Sequence, residues 1–139
     1  MGIEENKRVI ETRVKVLNAR DFDSWEALHT DSAFRTAPEL SEPLKGRSAM
    51  RQALEASIKA LDYRLEIRRV FGEDNWLCVE FTSNGKNIGP ICTNCSTIPA
   101  TNKEYTNISC VVFKFEGGKI AEVHEYYDLH NFLAQIGIS

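Results

Sequence analysis

The chain has 139 residues, 42% of them hydrophobic and 27% charged, with a formal net charge of −3. These values suit one globular domain spanning residues 1–139, long enough for a real core. The weakly acidic balance leaves no electrostatic footprint for nucleic acid, and no apolar run approaches the ~18 residues that cross a membrane.

The N-terminal stretch MGIEENKRVIETRVKVL is charged throughout and lacks an apolar signal core, so a cytoplasmic location is expected. The four cysteines, at 78, 92, 95 and 110, read as reduced thiols. Cys92 and Cys95 have CxxC spacing, which alone is half a zinc site, and no helix follows to make a redox motif. No metal and no cofactor is expected.

Residues 4–19 have helical periodicity, with Val9, Ile10, Val14, Val16 and Leu17 making an apolar face. Arg13 falls on the edge of that face, where an arginine either snorkels to water or reaches into a pocket. Asp21 or Asp23 can cap a second helix over 22–30. Trp25 and His29 are four apart there and stack on one side. Ala33–Thr36 suits a short strand and APELSEPLKG a loop, and a third helix runs from Arg47 or Ser48 to about Leu61.

From Tyr63 the period changes to two, and Tyr63, Leu65 and Ile67 share one strand face. In the next strand, WLCVEFTS, Leu77, Val79 and Phe81 alternate with Trp76, Cys78 and Glu80, and Asn84-Gly85 signals a turn. Residues 86–103 are rich in Gly, Pro, Ser, Thr and Asn and read as a long loop or a frayed hairpin extension. Glu104–Phe115 is a long strand with Tyr105, Asn107, Ser109, Val111, Phe113 and Phe115 on one row. A turn at Gly117-Gly118 leads to a strand over Lys119–Asp128, whose inward row holds Ala121, Val123, Glu125 and Tyr127. Three helices followed by antiparallel strands make an α+β protein whose sheet curls around the helices.

The strings LNARDFDSWEALHTD, EPLKGRSAMRQAL and GKIAEVHEYYDLHNFLAQIG, in this order of elements, resemble the SnoaL-like (polyketide cyclase-like) branch of the nuclear transport factor 2-like superfamily. The resemblance implies a cone-shaped α+β barrel, with three N-terminal helices packed into a strongly curved, mostly antiparallel sheet around a deep apolar pocket. It also implies a homodimer through the outer sheet face, where Trp76, Cys78, Ile108, Cys110, Val112 and Tyr126 make a row too apolar to leave in water.

The expected ligand is a hydrophobic or polycyclic small molecule. Its candidate contacts are Arg13, Trp25, His29, Leu77, Val79, Phe81, Asn107, Ser109, Val111, Phe113, Val123 and Tyr127. Family cyclases close a ring by intramolecular aldol condensation without a cofactor, and their acid/base carboxylate falls at Glu125 here. A histidine that assists them falls at Val111. The three groups that ketosteroid isomerases need match Arg13, Ala37 and Val111, none of which can serve, so that activity is not expected.

An apolar pocket disfavours the charged form of a carboxylate and poises it to take and return a proton. For Glu125 three placements are open: a pocket acid/base or binding anchor, an ion pair with Arg13 or another base, or the outer face. His124 and Asp128 have the opposite parity and suit structural or interface roles. His124-Glu125-Tyr-Tyr-Asp128 lacks the helix and the last ligand of a zincin motif. Beside the small-molecule cyclase, isomerase or hydratase reading stands a second, a non-catalytic binding or dimerisation module.

Overall fold

The computed structural model describes residues 2–92 and 97–138. Helix α1 (Ile3–Asn18) turns Asn6, Ile10, Arg13 and Leu17 inward, a spacing of three to four residues that puts them on one face. Helix α2 (Phe22–Ala27) starts at Asp21, whose carboxylate accepts from the Ser24 amide. Helix α3 (Arg47–Leu61) buries Met50, Leu54, Ile58 and Ala60. Its N-terminus follows Gly46, held at φ +93°, a backbone region that favours glycine.

A six-stranded sheet wraps these helices. Its strands are β1 (His29–Thr36), β2 (Leu44–Lys45), β3 (Arg64–Glu73), β4 (Trp76–Lys86), β7 (Glu104–Glu116) and β8 (Lys119–Tyr127). They run in the order β2-β1-β8-β7-β4-β3, and only β1 and β8 pair in parallel. Register shifts in β1, β3 and β7–β8 mark the places where regular pairing breaks, as a bent sheet requires. This is the curved α+β architecture expected from the sequence.

Two positive-φ glycines, Gly117 and Gly118, make the tight β7–β8 turn. A register shift between Lys114 and Phe115, just past the turn, then sets the pairing that follows. Val123 faces Phe113, Glu125 faces Val111, and Tyr127 faces Ser109. On the other side Leu77, Val79 and Phe81 pair with the same three β7 residues. Three cross-strand rows result, and all lie on the helix-covered face.

Several local expectations need correction. Helix α2 ends at Ala27, and His29 begins β1 instead of completing the helix. The ring contact with Trp25 survives, with centroids 4.3 Å apart, because the chain turns sharply between them. Asn84-Gly85 is not a turn; both residues lie inside β4, paired with Thr106 and Tyr105. Glycine is needed at 85 for clearance, since a Cβ there would run into the Leu61 carbonyl and the Tyr105 hydroxyl.

The 86–103 segment has order of its own: β5 (Ile91–Cys92) pairs with β6 (Thr97–Ile98). Asn87 anchors it. Its buried amide donates to the Ala60 and Gly89 carbonyls and accepts from the amide and hydroxyl of Thr101. The expectation for Cys95 lies outside the described residues. Helix α4 (Leu129–Gln135), capped by Asp128, packs Phe132 edge-to-face against Tyr105 at the end of the sheet.

Candidate functional site

The inner face of β4, β7 and β8, expected to line a deep pocket, is packed against the helices as the core. Val79 and Phe113 are fully buried, and Leu77, Val79, Phe81, Val111, Phe113 and Val123 belong to one apolar cluster with Ile10, Leu17, Trp25 and Met50. Ser109 is buried beside them, and Asn107 is half-buried further along the row.

Glu125 rises from this inner face, but it is not alone there. The Arg35 guanidinium, from β1, lies 3.2 Å from its carboxylate and 3.0 Å from that of Glu39. The Tyr127 hydroxyl donates to Glu39 at 2.6 Å. The result is a linked array, Glu125–Arg35–Glu39–Tyr127. It sits at the rim, with the Arg35 and Glu125 side chains 21% and 25% exposed. Burial lowers the Arg35 pKa, but Glu125 and Glu39 more than offset it and the net shift is upward. Burial and the bond to Glu39 push the Tyr127 phenol up as well.

Arg13 is buried, not snorkelled to water. Its guanidinium lies over the Trp25 and Phe113 rings, 4.9 and 5.1 Å from their centroids. Its Nε donates to His29 Nε2 at 3.2 Å, while His29 Nδ1 lies 2.9 Å from the Trp25 carbonyl. The imidazole therefore carries its proton on Nδ1 and accepts on Nε2. Burial first, and the Arg13 charge second, push His29 down to about 3, so it is neutral at pH 7. Among the described residues Arg13 forms no ion pair. Burial lowers its pKa to about 10 against the attraction of Glu125.

Two neighbouring polar groups have no hydrogen-bond partner: the Trp25 indole nitrogen, and both amide atoms of Asn6 on the buried face of α1. Tyr63 leans in from the start of β3 and shares a 3.2 Å hydrogen bond with Ser57. Burial raises its pKa.

Arg13, Trp25 and His29 thus come together beside Phe113, Glu125 stands further along β8 against Arg35, and Leu77, Val79, Phe81, Val111, Phe113 and Val123 form the apolar inner face. Sequence reasoning missed Arg35, Glu39 and Tyr63. A signal for Arg35 was present: it alternates with buried Ala33 on a short strand, as a cation would that answers a lone acid in an apolar row. Nothing local flagged Glu39, which lies in the loop.

Outside this cluster, His124 bonds to Thr36 and Glu122, and Asp128 caps α4. Two open depressions lie elsewhere. One, of about 480 Å³, is lined by residues including Asp62, Gly85, Tyr105 and Gln135. The other, of about 390 Å³, is lined by Phe71, Trp76, Cys78 and Val112 among others. Among the described residues no group of three His, Cys, Asp or Glu side chains could hold a metal ion, and no helix is long and apolar enough to cross a membrane.

Solved structures share this architecture. TsrD from Streptomyces laurentii superposes with a TM-score of 0.84 at 19% identity, over 100% of this chain and 99% of that one. An NTF2-like protein of unknown function from Burkholderia pseudomallei K96243 matches at 0.80 and 14%, over 99% of both chains. An LEH-like epoxide hydrolase from M.tuberculosis matches at 0.75 and 16%, over 96% of this chain and 90% of that one. At such identities these likenesses speak for the fold alone. No curated protein sequence matches the chain. A family model described as SnoaL-like polyketide cyclase matches residues 7–136, and the chain belongs to that family.

Proposed function

We propose that the cone binds a hydrophobic, carbonyl-bearing small molecule and that Glu125 acts on it as a general base, in a cofactor-independent cyclisation, isomerisation or hydration. The observation that carries this reading is the Glu125–Arg35 pair set at the rim of an otherwise apolar inner face. The Arg35 guanidinium holds one Glu125 oxygen and so orients the carboxylate, which can take a proton on its free lone pairs. The C–H next to a carbonyl gives its proton to Glu125, and the negative charge that moves onto the carbonyl oxygen is stabilised by a nearby guanidinium. Partial exposure of Glu125 lets a ligand reach it from the rim.

The test is proton exchange at the central carbon of 1-phenyl-1,3-butanedione in deuterated buffer, followed by NMR. Wild type is expected to accelerate exchange, and Glu125→Gln to lose ~10²–10⁴-fold of that acceleration. Equal exchange by the two proteins removes the base role and leaves a non-catalytic binding module.

The outer face supports a homodimer: Trp76, Ile108 and Tyr126 are 39%, 55% and 59% exposed on one side of the sheet. A second copy of the same curved surface would cover them. Ile108→Lys should convert a dimer to a monomer in light scattering; a wild type that is already monomeric at high concentration overturns this assembly.

A further inference from the structure

We infer that Arg13, with the Trp25 indole N–H beside it, is the seat of an anionic oxygen of the ligand, a carboxylate or similarly acidic group on a hydrophobic body. The inference rests on the reading that the cone holds a small molecule, but not on Glu125 being a base.

A guanidinium has five N–H donors, and leaving a buried charge without a counterion is costly. Arg13 is 8% exposed, yet its one hydrogen bond goes to a neutral imidazole, and its other neighbours are two aromatic faces. The His29 bond takes Nε and so orients the guanidinium, leaving the paired terminal nitrogens for a bidentate partner. His29 is itself held by the Trp25 carbonyl. Trp25 adds a donor of the same character: its indole nitrogen is buried and unbonded, and its ring lies under the guanidinium.

Among the described residues none supplies the missing acceptor. Glu125, the carboxylate that attracts Arg13, is taken by Arg35. Arg35 repels Arg13 and burial keeps Tyr63 a neutral phenol, so neither offsets the Arg13 charge. A ligand oxygen bearing a negative charge completes the cluster, and the aromatic rings beside it suit an attached aromatic body.

The experiment compares 2-naphthoate with its neutral counterpart 2-naphthamide, titrated against a Trp76→Phe background so that fluorescence reports Trp25. Naphthoate is expected to bind at least ~10-fold more tightly, the scale of one or two hydrogen bonds to a charged group. Arg13→Met should bring the ratio to about one, and Arg13→Lys should restore part of it. Without ligand, Arg13→Met should melt at or above the wild-type temperature, since it removes an unpaired buried cation. A wild-type ratio near one, no naphthoate binding, or a ratio unchanged in Arg13→Met overturns the inference. Glu125→Gln is expected to lose carbon-acid exchange and keep the naphthoate preference. A wild-type ratio near one with exchange that Glu125→Gln abolishes therefore defeats the anion seat alone, and a naphthoate preference with exchange that Glu125→Gln leaves unchanged defeats the base alone.

Discussion

Arg13 and Arg35 enter the same cone from opposite walls, one from a helix and one from a strand, and are treated in opposite ways. Arg35 lies between two carboxylates, and its pKa moves up in spite of burial. Arg13 lies between two aromatic rings with a neutral histidine, and its pKa moves down to about 10. A satisfied charge is a structural tie that also holds its partner in place. An unsatisfied one is a standing cost that a ligand can relieve. The comparison teaches that the residue type says little, and that the partners the fold brings decide between the two.

The comparison can be broken most forcefully on the paired side. Arg35→Met leaves Glu39 and Glu125 facing each other without their cation, and should cost about 2–3 kcal/mol, reduced from the fully buried case because both acids are partly wet. Urea unfolding measures it; a loss below about 0.5 kcal/mol would mean that the array is a surface decoration.

The unpaired side is sharpened by pH. His29 has a folded-state pKa of about 3, below the 6.5 of an ordinary imidazole, so the unfolded chain takes up the proton first. Its contribution is full above pH 6.5 and is lost as pH falls towards 3, at up to ~1.4 kcal/mol per pH unit. His29→Gln should flatten that acid limb in unfolding curves taken at several pH values between 7 and 4. An identical slope in the variant would place the acid sensitivity elsewhere.

Smaller effects complete the contrast. Tyr127→Phe removes the donor to Glu39 and should cost about 1 kcal/mol, with no change in the naphthoate preference. Asn6→Leu, on the Arg13 side, removes two unbonded amide atoms and should raise stability by up to about 1 kcal/mol in the same assay. Destabilisation by that change would show that the amide finds a bonded partner, such as ordered water.

Much of the fold was legible because period and parity are local properties. The inner rows through Leu77, Val111 and Val123 could be read from alternation alone, but the one-residue register shift past the Gly117-Gly118 turn could not. Asn84-Gly85 misled because the same dipeptide that makes a turn also makes clearance, and only the approach of Leu61 and Tyr105 tells which. Asn6 and Asn87 show the same limit. Both are buried asparagines, but one bonds through both its amide atoms and the other through none.

For the site, the sequence by itself put a carboxylate at 125 in a row with Ala121, Val123 and Tyr127, because side chains alternate along a strand, and left open whether that row faced inward. It also put Arg13 on the edge of a helix's apolar face. Only the tertiary structure decided which arginine Glu125 meets. β1 pairs in parallel with β8, bringing Arg35 alongside Val123 and into contact with Glu125, while α1 lays Arg13 over Trp25 and Phe113. Residues 35 and 125 are ninety positions apart, and no local pattern encodes a contact made by closing the sheet.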